Sequence, residues 1–426
     1  MRRYYTLART LAFSSTAKDT YILFVGNIAS AFLGFIFTLL VARALTVSDF
    51  GIFSAANNLV LILIAVTDLG VSAGIVNFIS KARRDGDKEK EKKYIKAGFL
   101  TRLVSILTIS ILIIIFSSFI SKNFLATDNP SVAIWAGLIS IGFFAWGFFP
   151  FVLQAQKRFL QSAMVDVSLG SLRAVIVFVL YILGMLSLNW TFAAFAISAI
   201  FGGFMGMKIV GFSFFKSKPK VDLYKNLLKF SGWLGVNKVI SAISGRLDIA
   251  MLAVMVGATA TGFYSIPNRL AMFVVVLASS YTSVLSPRFA SIGDKQKEKL
   301  YIKKATLALV PLVGGIIVWI IIAEPFILLL FGEKYLPAVP VFRALTAAMI
   351  PFLLTVPPVS AIIYAMQRPV FIGAYSFVHL GLTFLLNLYF IPGYEALGPT
   401  ITFGIVHTIL AIYTWTIVVK HYWISK

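Results

Sequence analysis

Apolar residues run in long blocks from Tyr21 to Val419, each closed by a short polar break. Twelve blocks stand out: 20–42, 51–79, 97–120, 131–154, 160–184, 190–211, 230–256, 262–286, 305–331, 341–365, 369–391 and 396–419. A hydrocarbon core is crossed by about 20 residues of helix, and every block is that long. Lipid offers no partner for open backbone groups, so blocks of this kind predict helices. The pattern therefore predicts an all-α integral membrane protein with twelve transmembrane helices.

Composition strengthens that reading. Hydrophobic residues make up 59% of the chain and charged residues 13%, far from the soluble average. The net charge of +22 raises nucleic acid as a partner, but its placement argues against one. Lys and Arg gather at Arg2, Arg3, Arg9 and Lys18, in 81–96, at Lys157 and Arg158, in 208–229, in 288–304, at Arg368, and at Lys420 and Lys426. The alternate breaks carry little beyond Arg43, Lys122 and Lys334. This asymmetry predicts that both termini are cytoplasmic and that the basic loops meet anionic lipid headgroups. Residues 1–19 read as a short basic segment on the membrane surface rather than a cleaved signal. With no cysteine, disulfides and thiol chemistry are excluded.

An internal repeat organises the blocks. Gly51-Ile52-Phe53-Ser54 returns as Gly262-Phe263-Tyr264-Ser265. The segment from Glu91 to Lys96 is answered by Glu298 to Lys303, and Gln156-Lys157 by Gln367-Arg368, in the same order. The expected organisation is an N-terminal six-helix bundle over 1–211, a cytoplasmic linker over 212–229 and a C-terminal six-helix bundle over 230–426. Halves of this kind enclose a substrate path near the bilayer midplane. Pro311 and Pro325 in one block, and Pro351, Pro357 and Pro358 in the next, predict kinks.

Charges inside spanning helices are costly and mark function. Asp68 lies in the second block, Asp166 and Arg173 in the fifth, Lys238, Arg246 and Asp248 in the seventh, and Arg269 in the eighth. Arg102 lies near a block end, where its long side chain is expected to snorkel to the interface. In the seventh block Asn237, Ser241, Ser244 and Asp248 recur at helical spacing, and Lys238 and Arg246 flank that polar face. Structural pairs are the competing expectation: Asp248 with Arg246 or Arg269, and Arg173 with Asp166. Buried cations outnumber carboxylates, which suits an anionic substrate held by bidentate guanidinium contacts. The sequence has no phosphate loop, nucleophile elbow or metal-ligand spacing, so neither an enzyme nor a metal site is expected. His379 and His407 lie in apolar blocks, where packing with one hydrogen bond is the default.

Several motifs together resemble a known family. They are Val41-Ala42-Arg43-Ala44-Leu45, Ser48-Asp49-Phe50-Gly51-Ile52-Phe53 and Thr67-Asp68-Leu69-Gly70 near the N-terminus. Further on come Glu324-Pro325-Phe326, Leu330-Phe331-Gly332-Glu333-Lys334-Tyr335, Ala338-Val339-Pro340-Val341-Phe342-Arg343 and Asn387-Leu388-Tyr389-Phe390-Ile391-Pro392-Gly393. The set is similar to polysaccharide repeat-unit (O-antigen and exopolysaccharide) flippases of the multidrug/oligosaccharidyl-lipid/polysaccharide exporter superfamily. Pro399 departs from the small residue usual there.

The resemblance implies two pseudo-symmetric six-helix bundles forming a V-shaped, alternating-access transporter in the cytoplasmic (inner) cell membrane. Its cargo would be a polyprenyl-diphosphate-linked glycan moved from the inner to the outer leaflet. No cofactor is implied beyond coupling to H+ or Na+. Polysaccharide polymerase and glycosyltransferases would be further partners. By position, Arg246, Arg269, Lys238 and Arg173 are the expected substrate-binding residues. Asp68 and Asp248 are the expected ion-coupling residues, Asp68 foremost because no cation lies near it in sequence. The alternatives are a multidrug/cation antiporter or a lipid-linked peptidoglycan-precursor flippase of the same superfamily, and a membrane glycosyltransferase or ligase.

Overall fold

A computed structural model describes residues 15–424. Residues 1–14, which hold most of the predicted surface segment, lie outside the described residues. Among the described residues there are helices and no strand. In chain order they are α1 (Ser15–Ala44), α2 (Val47–Asp68), α3 (Val71–Arg84), α4 (Lys88–Ile115), α5 (Ser117–Phe124), α6 (Ser131–Trp146), α7 (Phe149–Ala155), α8 (Phe159–Ile182) and α9 (Leu188–Val210). There follow α10 (Val221–Ser244), α11 (Leu247–Met255), α12 (Ala258–Ile292), α13 (Lys295–Leu307), α14 (Val310–Ile321), α15 (Ala323–Phe331), α16 (Ala338–Ser360), α17 (Pro369–Tyr394) and α18 (Gly398–Val419).

Ten stretches among the described residues are long and apolar enough to cross a membrane. One of these, Pro369–Ile424, spans 56 residues and holds both α17 and α18 with a tight turn at Glu395–Leu397. The seventh block is not one helix: α10 ends at Ser244 and α11 starts at Leu247. Gly245 has low helix propensity, and Arg246 takes a non-helical backbone (φ −134°, ψ 2°). Pro311 falls in the opening turn of α14, where its missing N–H costs little. Pro351, Pro357 and Pro358 lie inside α16, which runs on into a π-helical turn at Ala361–Ala365.

The chain divides into two compact units. The first gathers residues up to Thr46, Ala56–Asn123 and Thr127–Ile243. The second gathers Val47–Ala55, Phe124–Ala126 and the residues from Ser244 onward. In the first, α1 packs along α8 and α9 along α6. Gly26 lies so close to Ala163 that an added Cβ would sit 2.7 Å from the alanine methyl, the small-on-small contact that lets spanning helices approach. Its core is aromatic, with Phe99 ringed by Phe144, Phe148, Phe149 and Phe214 at 5.1–6.0 Å. In the second, α16 packs against α12 and α18, around a core that includes Tyr264, Leu285, Phe289, Leu345 and Met349.

The repeat is visible in local structure. Asp87 caps α4 by accepting from the Lys90 N–H (2.9 Å), and Asp294 caps α13 by accepting from the Lys297 N–H (2.8 Å). Four residues after each cap a buried glutamate accepts a side-chain hydrogen bond. Gln156 donates to Glu91 (2.6 Å) and Tyr422 donates to Glu298 (2.7 Å).

Candidate functional site

The first cluster forms around the corner between α2 and α3. Leu69 and Gly70 both adopt positive φ (48° and 73°), reversing the chain within two residues. Gly70 tolerates that conformation without a Cβ penalty. It also lets α10 come close, since an added Cβ would overlap the Ser231 carbonyl oxygen. Gly235 faces the same corner, 2.6 Å from the Leu69 carbonyl when a Cβ is placed on it. This backbone contact fixes the height of α10 and brings Lys238 to Asp68.

Asp68 is fully buried at the last position of α2, where the carbonyl ends of the helix repel a negative charge. Two cations offset that. Lys238 Nζ donates to Oδ2 at 2.7 Å, and Arg102 Nη1 lies 3.3 Å from Oδ1. The Ser72 hydroxyl donates to Oδ1 at 2.5 Å. Arg102 also donates to Ser72 Oγ (3.3 Å) and to the Gly147 carbonyl (3.0 Å), tying this corner to the junction of α6 and α7. Two expectations are corrected here. Arg102 does not snorkel: it is 2% exposed because Asp68 and the Gly147 carbonyl receive its charge inside the fold. Asp68 is not remote from cations: distant chain segments supply two.

Beside this cluster lies a cavity of about 530 Å³ in the first unit. Arg102, Lys238, Arg173 and Asp166 contribute charge to its wall. The Arg173 guanidinium sits between the rings of Phe37 and Phe195, 4.5 and 4.6 Å from their centroids, a geometry that favours a desolvated cation. The Asp166 carboxylate lies beside the Trp146 indole N–H, which makes no well-formed hydrogen bond among the described residues. In place of the expected Arg173–Asp166 pair, the structure gives the cation an aromatic cradle and the carboxylate an indole neighbour.

The second unit holds the remaining expected residues. The break between α10 and α11 separates Lys238 from Arg246, so the two do not flank one continuous helical face. That expectation assumed an unbroken helix, and Gly245 ends it. Asp248, in the first turn of α11, accepts from the Tyr264 hydroxyl (2.5 Å) and the Ile249 N–H (2.8 Å). Its charge also feels Arg246, and Arg246 in turn acts on Arg269 of α12 as a like charge. Arg246 is half-buried and Arg269 accessible. Ser241 is accessible and Ser244 half-buried, while the Asn237 side chain lies outside the described residues.

A second cavity, about 230 Å³, opens at the helix break. Ser244, Asp248 and Tyr264 line it together with Asn387, Thr402 and the histidines. His407 Nδ1 bonds the Phe403 carbonyl (2.9 Å), and its ring stands 5.5 Å from that of His379. This satisfies the expected packing with one hydrogen bond for His407.

Sequence reasoning missed Arg102, Ser72 and Tyr264 as partners, and the aromatic wall of the first cavity. Ser72 had a local signal, one helical turn beyond Asp68. Arg102 had none, because its contacts join distant segments, and Tyr264 had none because it meets Asp248 across the turn between α11 and α12, where no helical spacing relates the two.

Residues 16–293 match the family described as "Polysaccharide biosynthesis protein". The chain is 24% identical to the uncharacterized membrane protein EpsK of Bacillus subtilis over 332 residues, covering 73% of this chain and 64% of that protein. It thus spans less than two thirds of that relative. It is also 24% identical to the lipopolysaccharide biosynthesis protein WzxC of Escherichia coli over 415 residues, 91% of this chain and 77% of WzxC. Among solved structures, the lipid II flippase MurJ superposes with a TM-score of 0.76 at 16% identity, over 93% of this chain and 87% of MurJ. A multidrug resistance MATE family transporter of the MOP superfamily superposes at 0.72 and 15% identity, over 90% and 93%. The fold is that of these multi-helix transporters.

Proposed function

The chain belongs to the polysaccharide biosynthesis protein family, and from that premise we propose that it is a flippase for lipid-linked oligosaccharide. It would move a polyprenyl-diphosphate-linked glycan from the inner to the outer leaflet of the cytoplasmic membrane, supplying cell-surface polysaccharide synthesis. The observation that carries this reading is the cavity of about 530 Å³ with Arg102, Arg173 and Lys238 in its wall, within a chain whose spanning helices are otherwise mostly apolar. A spanning protein that keeps cations around an interior space stabilises an anionic, hydrated cargo there. The names of the relatives agree: WzxC acts in lipopolysaccharide biosynthesis, and MurJ is a lipid II flippase.

Within this reading Arg246 and Arg269 hold the diphosphate. Arg246 stands at the start of α11, on a broken helix of the kind that presents half-helix ends to anionic groups in transporters. Guanidinium groups offer paired donors to phosphate oxygens. Arg173 and Lys238 extend the cationic path, Lys238 while engaged to Asp68. Twelve spans in two six-helix halves (1–211 and 230–426), cytoplasmic termini, and hand-over from glycosyltransferases to a polymerase complete the proposal. Coupling to H+ or Na+ is assigned to Asp248, which lines a polar cavity, rather than to Asp68, whose oxygens are held by two cations and a hydroxyl.

The test is glycan export in cells lacking the native protein. The double variant Arg246→Gln and Arg269→Gln should reach the membrane at normal level yet lose export. Full export by that variant would remove both arginines from the cargo site. Single Lys replacements should lose part of the activity, since the paired donors are gone.

A further inference from the structure

The wall of the larger cavity does more than carry charge. Phe143, Trp146 and Phe151 bring aromatic surface to it, and Asn27, Ser30 and Gln154 bring neutral polar groups. We infer that this cavity of the first unit, lined mainly by α1, α6, α7 and α8 with Arg102 of α4 and Lys238 of α10, is a subsite for one pyranose ring of the cargo, separate from Arg246 and Arg269, which are proposed to hold its diphosphate. The inference rests on the flippase reading above and adds what part of the cargo the first unit receives.

The chemistry is that of a sugar. A pyranose has an apolar C–H face and a rim of hydroxyls. It is met by an aromatic plane on one side and by amide, carboxylate and guanidinium groups around the edge. The cavity offers both. Trp146 is partly buried and braced by Phe143 in a T-shaped contact at 5.1 Å, so its ring is a fixed platform. Arg173 is held by its two phenylalanine rings, and Gln154 by the Ser162 hydroxyl (3.1 Å). Such anchoring limits the side-chain ordering that a ligand must induce.

A bare diphosphate would be served by cations alone and would gain nothing from Asp166, which repels it. A sugar hydroxyl can donate to Asp166 and accept from a guanidinium in the same ring. Two polar atoms also await a partner: the Ser30 hydroxyl oxygen and the Trp146 indole nitrogen are buried without a hydrogen bond among the described residues. Buried polar groups in folded proteins are nearly always paired, and hydroxyls of a bound ring would pair these. A volume of about 530 Å³ lies in the range of ordinary small-molecule sites, about 300–1,000 Å³, and suits a single ring better than a branched repeat unit.

The experiment uses the full chain in lipid nanodiscs. Dissociation constants are measured for farnesyl diphosphate and for farnesyl diphosphate carrying one galactosyl, N-acetylglucosaminyl or galacturonosyl residue. In the unaltered protein at least one sugar-bearing probe should bind roughly fivefold or more tightly than the bare probe, the worth of one or two net hydrogen bonds. That probe alone should shift indole emission, through Trp146. The affinity ratio should fall to within about twofold in Trp146→Leu, Gln154→Ala and Asn27→Ala. Asn27 is exposed, so loss of the ratio there is not loss of the fold. Equal affinities for all probes in the unaltered protein, or a ratio intact in both Asn27→Ala and Gln154→Ala, would overturn the subsite and leave the flippase reading standing. Failure of the unaltered protein to bind any probe would overturn both.

Discussion

Arg102 should be the most sensitive charged position in the first unit. Its side chain is 2% exposed and that of Asp68 1%, whereas Lys238, the other cation on the same carboxylate, is 42% exposed. Arg102→Met keeps the apolar bulk against Phe144 and Phe148 and removes the charge. Asp68 is then left at a helix C-terminus with a half-exposed lysine as its sole cation. The Gly147 carbonyl loses its donor as well. Removing one partner of a buried pair costs about 3–5 kcal/mol. Lys238→Met leaves the buried Arg102–Asp68 pair intact and removes an exposed partner, a change worth about 0–1 kcal/mol. Each kcal/mol moves a melting temperature by about 2–4 °C in domains of 150–250 residues. Arg102→Met should therefore lower the Tm by about 6–20 °C, and Lys238→Met by no more than about 4 °C. The assay is thermal unfolding of detergent-purified protein followed by fluorescence-detected size exclusion. The double variant Asp68→Asn with Arg102→Met should fall less than the sum of its single variants, since each single one strands a charge that the double removes. Equal shifts for Arg102→Met and Lys238→Met would refute the claim that burial, and not charge count, sets the value of these contacts.

Three further outcomes are expected. Tyr264→Phe removes the hydroxyl donor to Asp248 and should cost about 1–3 kcal/mol, the penalty of an unsatisfied buried acceptor, seen as a lower Tm. Gly51→Ala and Gly262→Ala should each destabilise the protein severely, because the added Cβ of one would overlap the Ala258 carbonyl oxygen and that of the other the Val47 carbonyl oxygen; normal melting of either would show that the helices can part freely there. Cysteines introduced at Lys90 and Lys297 should react with an impermeant maleimide only after cells are opened, and labelling of intact cells would overturn the assigned topology.

Helix content was legible because lipid imposes it. Each apolar block had to bond its own backbone, and each is helical in the structure. Interruptions were less legible. Gly245 sits among residues of good helical pattern, and a lone glycine lowers helix propensity without by itself fixing that the chain departs from the helix at Arg246. The site divides in the same way. Residue types could be read from the sequence, since Asp68, Arg173, Lys238, Arg246, Asp248 and Arg269 stand out against apolar neighbours. Pairings could not. Arg102 looked like a residue near a helix end because sequence shows distance to a block boundary and not what the side chain meets. Its carboxylate partner arrives from another helix, through a corner whose geometry depends on Leu69 and Gly70 both taking positive φ.

The internal repeat has a physical reason to be visible in this sequence. One matched element, Gly51 to Ser54 against Gly262 to Ser265, is also a place where two copies touch. The start of α2 crosses the start of α12, with Gly51 against the backbone at Ala258 and Gly262 against the backbone at Val47. A crossing of like segments asks the same thing of both: no Cβ at the contact. Glu91 and Glu298 are shared by the copies but face different surroundings. Gln156 reaches Glu91 in one copy, while Glu298 takes Tyr422 from the far end of the chain in the other. Asp68 is enclosed by two cations in the first unit, and Asp248 faces a phenol and a polar cavity in the second. Backbone contact thus keeps the repeat recognisable at that crossing, and the capping aspartates Asp87 and Asp294 keep it recognisable at the starts of α4 and α13, while the partners of the buried glutamates differ.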